Sequence, residues 1–169
     1  MTERRAKLLA RAIAVLTLVL VAAAAWLIAG DRTTSPGDVP FTVMVVAGMT
    51  AFAVIGTMIA ARAPANPIGW LYAAVGLFAI FGITSEEYAI RGSTDLGVPG
   101  VGYAQWVSAL AFTPVIGALL LALLLFPNGS LPSPMWRVAG WTIAVGTVLA
   151  AIGSAFVPAT FEISTGLFV

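Results

Sequence analysis

Ala104-Gln-Trp-Val-Ser-Ala-Leu-Ala-Phe-Thr-Pro-Val-Ile-Gly-Ala-Leu-Leu-Leu-Ala-Leu-Leu-Leu-Phe126 carries no charged residue from end to end. A hydrocarbon core needs ~20 helical residues to cross, and this run supplies them. Only helices and closed barrels satisfy their backbone groups in lipid. A barrel strand would alternate apolar and polar residues, whereas Leu119–Leu125 is apolar at every position. The stretch therefore reads as a transmembrane helix. Four other runs share its character: Ala12–Ala29, Phe41–Ala61, Ile68–Ser85 and Val138–Val157. The expected fold is all-α, a polytopic transmembrane helical bundle with spans near 10–30, 40–61, 67–88, 104–126 and 137–157. Together these make one domain over 1–158, followed by an external C-terminal segment, 159–169.

The composition agrees. Of 169 residues, 60% are hydrophobic and 9% charged, against about 25% charged in an ordinary soluble domain. Mean hydropathy is +1.03. There is no cysteine and no histidine, which removes thiol chemistry, the commonest general base and the commonest metal ligand. No nucleophile–base pair or metal set can be assembled, so no enzyme activity, cofactor or metal is expected. A net charge of +1 argues against nucleic acid as a partner. The lipid bilayer is the partner that composition implies.

Charge sets the orientation. Arg4, Arg5, Lys7 and Arg11 precede the first span and should hold the N-terminus in the cytoplasm. The connections then alternate: Asp31–Asp38 outside, Arg62–Pro67 inside, Arg91–Tyr103 outside, Pro127–Arg137 inside, and the C-terminus outside. This places six basic residues inside and two, Arg32 and Arg91, outside. Trp26, Tyr88, Tyr103 and Trp106 fall near outer ends, and Trp70, Tyr72, Trp136 and Trp141 near inner ends, as amphipathic rings do at headgroup level. The first run is too long for the apolar core of a signal peptide and reads as an uncleaved helix.

The outer loops are short and built from turn residues, so neither forms a folded extracellular domain. The inner connections are more distinctive. In Arg62-Ala-Pro-Ala-Asn-Pro-Ile-Gly-Trp70, Asn66 is placed to cap the third helix and Pro67 to occupy its first turn, where a missing N–H costs nothing. Gly69 leaves room for a neighbouring backbone. In Leu124-Leu-Phe-Pro-Asn-Gly-Ser-Leu-Pro-Ser-Pro-Met-Trp-Arg137, Pro127 stops the fourth helix after Phe126. Asn128-Gly129 favours a tight turn with positive φ. Leu131 follows, and Pro132 and Pro134 keep the chain extended until Trp136 and Arg137 reach the membrane surface.

These two strings, one helix apart, resemble the membrane-embedded N-terminal region of a family of actinobacterial sensor histidine kinases. In that family the second string commonly reads L-F-P-D-G-R-L-P-S-x-x-W-R; here Asn128 replaces the usual acid and Ser130 the usual arginine. The resemblance covers roughly Arg62 to Arg137. It implies a membrane-embedded sensor or input module in a bacterial cell membrane, coupled to a cytoplasmic kinase core in a longer chain. That core is absent here: there is no histidine to phosphorylate and no nucleotide-binding loop. With five spans the C-terminus is external, so a cytoplasmic kinase following Val169 requires a sixth span. Two other functions fit the same composition: a small standalone membrane protein that regulates a partner, and a transporter component. Transport predicts polar groups at span centres and broken helices in matching halves, and neither is evident.

Three residues inside or near the membrane are candidates for sensing. Glu86 and Glu87 fall where the third span should meet the outer interface, as a solvated helix end or as a proton- or cation-responsive pair. Adjacent helical residues point about 100° apart, so the two cannot face one partner. Pro114 lies midway along the fourth span, where it frees a carbonyl and can act as a hinge. Small residues recur at fourfold spacing, Ala53, Thr57 and Ala61 in the second span and Gly146, Ala150 and Ser154 in the fifth. Packing within the bundle accounts for them. A homodimer is the alternative use, one the kinase resemblance supports.

Overall fold

The computed structural model describes residues 3–30, 39–94, 98–131 and 133–156. They form five helices: α1 (Glu3–Gly30), α2 (Val39–Arg62), α3 (Pro67–Thr94), α4 (Val101–Leu125) and α5 (Trp136–Ala155). Each is long and apolar enough to cross a membrane, so the chain is an all-α, multi-pass membrane protein. The segment 159–169 lies outside the described residues, as does the connection 31–38 between α1 and α2.

Two helices outrun the spans expected from sequence. α1 begins at Glu3, and its first turn carries an ion pair from Lys7 Nζ to Glu3 Oε1 at 2.6 Å. α3 continues six residues beyond position 88. At 28 residues it is about 42 Å long, more than a ~30 Å hydrocarbon core. Its apolar pattern ends near Ser85, but no glycine pair or proline stops it there.

Packing gives an antiparallel order with α3 at the centre. α3 touches α1, α2 and α4, α1 also touches α2, and among the described residues α5 touches α4 alone. Half of the most apolar stretch of α3 is buried, and none of that of α5. Val75, Ala79 and Val115 form the core between α3 and α4, with Met49, Phe52, Ala118 and Leu119 against them. Large apolar side chains such as Phe41, Met44, Leu123 and Trp141 point outward. On a soluble protein these would be an aggregation hazard; on a membrane bundle they meet lipid.

The tightest seam joins α2 and α3. Lipid tails are as apolar as leucine, so close backbone approach between small residues takes over from hydrophobic burial. A Cβ built on Gly56 would collide with the backbone of Ala73, and one on Gly76 with the backbone and side chain of Ala53. A Cβ on Gly69 would lie 2.6 Å from the Ala60 nitrogen. Ala53, Thr57 and Ala60 are buried along this seam. The expected stripe thus holds at Ala53 and Thr57 but turns to Ala60 rather than Ala61, because a 3.6-residue helix drifts from strict fourfold spacing. Among the described residues the stripe on α5 is largely unpacked: Gly146 and Ala150 are exposed and Ser154 is half-buried, and a Cβ on Gly146 meets nothing within 4 Å.

Hydroxyls inside the bundle bond to their own helices. Thr17 donates to the Ile13 carbonyl at 2.9 Å, Thr50 to Val46 at 2.7 Å and Thr147 to Ile143 at 2.7 Å. Thr84 Oγ1 sits 2.7 Å from its own Ile80 carbonyl and 3.2 Å from the Leu20 carbonyl of α1. That single hydroxyl can donate along α3 or across to α1.

The seam makes a direct prediction. Gly56→Val should lower stability by about 1–3 kcal/mol or more, because its methyl groups meet backbone that cannot rotate away. Gly146→Val should change stability by less than about 0.5 kcal/mol. Thermal unfolding in detergent micelles, followed by helical circular dichroism, separates the two.

Candidate functional site

The connections between α2 and α3 and between α4 and α5, expected from charge to be the inner ones, lie at the end of the bundle where α2 and α4 finish and α3 and α5 begin. The first is held by three kinds of bond. The Ala63 N–H donates to the Ile59 carbonyl at 2.7 Å and the Asn66 N–H to the Ala63 carbonyl at 2.9 Å, extending the end of α2 into a turn. Asn66 Oδ1 accepts from the Ile68 N–H at 3.0 Å, the capping bond that an N-cap asparagine makes. Trp70 Nε1–H donates to the Pro64 carbonyl at 3.0 Å, so its ring spans the whole connection. Pro67 opens α3, Gly69 is buried against α2, and Arg62 is exposed.

The second connection begins where α4 ends at Leu125. The Phe126–Pro127 peptide is cis. Phe126, Pro127 and Asn128 are exposed, while Gly129 and Leu131 are half-buried. Gly129 adopts φ +73°, the left-handed region that glycine enters without penalty. From there its N–H donates to the Leu125 carbonyl at 2.8 Å, satisfying one of the free carbonyls at the end of α4. Pro132 lies outside the described residues. Trp136 and Arg137 open α5 and are both exposed.

The two connections meet at one point. A Cβ on Gly129 would lie 2.5 Å from Asn66 Oδ1 and 2.9 Å from Pro67 Cδ. The capping side chain of α3 therefore rests on the glycine that terminates α4. Both features of Gly129, its positive φ and its missing side chain, are needed for this junction. Neither motif alone foretold it, because each was explicable as a local helix connection.

The remaining candidates are elsewhere. Glu86 and Glu87 sit two turns before the end of α3, at the opposite end of the bundle; Glu86 is exposed and Glu87 half-buried. Pro114 lies inside α4, which continues through it to Leu125. Its ring lines an apolar cavity of about 530 Å³ between α3, α4 and α5, together with Phe78, Leu110 and Thr147. Neither set is brought to the inner junction.

One functional arrangement escaped the sequence reading. Arg91, placed there in the outer loop, belongs to α3. Its guanidinium carbon lies 4.4 Å from the centre of the Trp26 ring, a cation–π contact. One of its terminal nitrogens lies beside Gly30, buried, and among the described residues it has no hydrogen-bond partner. Trp26 and Gly30 are one turn apart on α1, so an aromatic face and a missing side chain together make a slot for the arginine. The signal was the absence of any helix breaker between Ser85 and Arg91. Two of the rings expected at the outer ends also bond to the main chain. Tyr88 donates its hydroxyl to the Pro99 carbonyl at 2.8 Å, and Trp106 donates Nε1–H to the Ala155 carbonyl at 3.0 Å.

The junction predicts energetic coupling. Asn66→Ala should cost about 1 kcal/mol through the lost cap. Gly129→Ala should cost ~1–2 kcal/mol through the left-handed backbone alone, and more through the clash with Asn66. In the double variant the clashing oxygen is gone, so the two losses should fall short of additivity by at least about 0.5 kcal/mol. A double-mutant cycle by thermal unfolding in micelles measures this; strict additivity would mean the two side chains do not touch.

Comparison of the chain with protein-family models, with characterised proteins and with solved structures finds no match.

Proposed function

We propose that this chain is a membrane-embedded input module resembling that of a two-component sensor histidine kinase, with its N-terminus in the cytoplasm. A change in helix packing is passed to an output carried by a longer parent chain. The observation that supports the reading is the contact of Gly129 with Asn66 and Pro67. It joins the α2–α3 turn to the α4–α5 turn, so a displacement of α3 against α2 is felt at the start of α5. The residues that make this contact belong to the two strings that carry the family resemblance. Among the described residues α5 is held by α4 alone, which makes it the element with the least resistance to such a displacement.

Orientation is open to a clean test because the chain has no cysteine. Ala65→Cys, in the first inner connection, should resist a membrane-impermeant maleimide in intact cells and react after lysis. Pro99→Cys, before α4, should react in both. The reverse pattern would overturn the orientation.

The signalling role is tested in the parent chain. The reading frame beyond Val169 should encode a further span and a kinase core. That full chain, reconstituted in vesicles, should label itself from radioactive ATP. Gly129→Ala, which strains the junction, should change the basal rate of labelling several-fold while the bundle stays inserted. A stop codon close after Val169 would sink this reading and favour a standalone membrane protein. A labelling rate indifferent to Gly129→Ala would separate the junction from signalling.

A further inference from the structure

Beside α4, at the inner end of the bundle, α5 presents one face that borders an open recess, with the Trp141 ring itself largely exposed. Arg137, Gly140 and Trp141 share that face, since residues three and four apart on a helix are neighbours. Across from them stand Leu121 and Leu124 of α4, and Leu131 of the second connection closes the end. Together they bound an open recess of about 280 Å³. Its wall is almost wholly apolar, and its one cation, Arg137, stands at the first turn of α5.

Two features distinguish this recess from a gap between helices. The first is glycine. A Cβ on Gly140 would meet only Leu124 Cδ2, at 3.6 Å, so the position has room for a side chain and carries none. The second is the arginine. Arg137 is exposed, and among the described residues its guanidinium has no salt bridge. An interfacial arginine that merely reaches for water needs no apolar recess beneath it. Here the charged head and the apolar slot are one turn apart on the same face. Guanidinium matches the geometry of phosphate oxygens with two parallel N–H donors. A leucine- and tryptophan-walled slot matches a hydrocarbon chain.

We propose that the α4–α5 recess binds one anionic phospholipid, with its phosphate on Arg137 and the first part of an acyl chain lying past Gly140 along the Trp141 ring. The bound lipid fills the space between α4 and α5 where no side chain does, and so sets their separation. This inference is independent of the histidine kinase resemblance.

The test uses the whole chain in phosphatidylcholine vesicles doped with brominated phosphatidylglycerol or, at the same mole fraction, brominated phosphatidylcholine. Bromine quenches indole on contact, and the contribution of Trp141 is the difference between the chain and its Trp141→Phe variant. Brominated phosphatidylglycerol should quench that contribution more strongly than brominated phosphatidylcholine. Arg137→Ala should weaken the preference about fivefold; the side chain is exposed, so its loss leaves the packing intact. Gly140→Leu should abolish the preference by filling the slot. Arg5→Ala removes a cation at the same end but outside the recess, and should leave the preference unchanged. Equal quenching by the two lipids, as a second copy seated in the recess would give, overturns the proposal. A preference unchanged by Arg137→Ala does the same. So does a preference abolished by excess inorganic phosphate, which would mean that the recess recognises a free anion rather than a lipid.

Discussion

The seam between α2 and α3 is the contact on which the other helices depend. In lipid, apolar side chains gain little by leaving the solvent for one another, so helices associate where backbones come close enough for dispersion to accumulate. Gly56, Gly69 and Gly76 provide that closeness along the half of the pair nearest its connection, each against a small residue on the other helix. The seam fixes the antiparallel register of α2 and α3. α1 then lies against both, and α4 packs on the opposite side of α3. Only α5 takes its position from a helix outside the seam.

Polar groups finish what the seam begins, and they do so at the ends. Inside the bundle, threonine hydroxyls bond within their own helices and hold nothing together, apart from Thr84 with its second acceptor on α1. Toward the helix ends the pattern changes. Trp70, Tyr88 and Trp106 each donate to a main-chain carbonyl beyond their own helix. Such a carbonyl has no ladder partner, and a ring long enough to reach it from inside a helix satisfies it without water. Trp70 and Tyr88 therefore fasten helices to connections, and Trp106 fastens α4 to the last residue of α5.

The same division explains what could be read from the sequence. Helix number, type and order were legible because apolar length is a property of each run alone. The Asn66 cap and the Gly129 turn were legible because capping and left-handed backbone are local. The stripe at Ala53 and Thr57 could be seen but not its partner, since many helices carry small residues and only assembly chooses which face is used. Gly146 and Ala150 have the same spacing and face outward. Arg91 was misplaced because charge was taken as the end of a helix, whereas the backbone continued and a slot on α1 received the charge. The contact between Gly129 and Asn66 was invisible for a further reason: it joins two turns separated by an entire span.

The position of α5 follows from these constraints. A helix added to the edge of a bundle normally buries one face, but α5 buries no residue fully. It meets α4 tightly near Gly117, where a side chain would collide with Thr147, and at Trp106, whose indole N–H reaches the Ala155 carbonyl. Around those contacts the two helices diverge, leaving one cavity beside Pro114 and another beside Arg137. Among the described residues α5 rests on α4 alone, with a close contact at Gly117, a bond at Trp106 and apolar space beside each. In lipid such an edge helix needs no larger buried face, because the side chains it leaves uncovered are already in an apolar solvent.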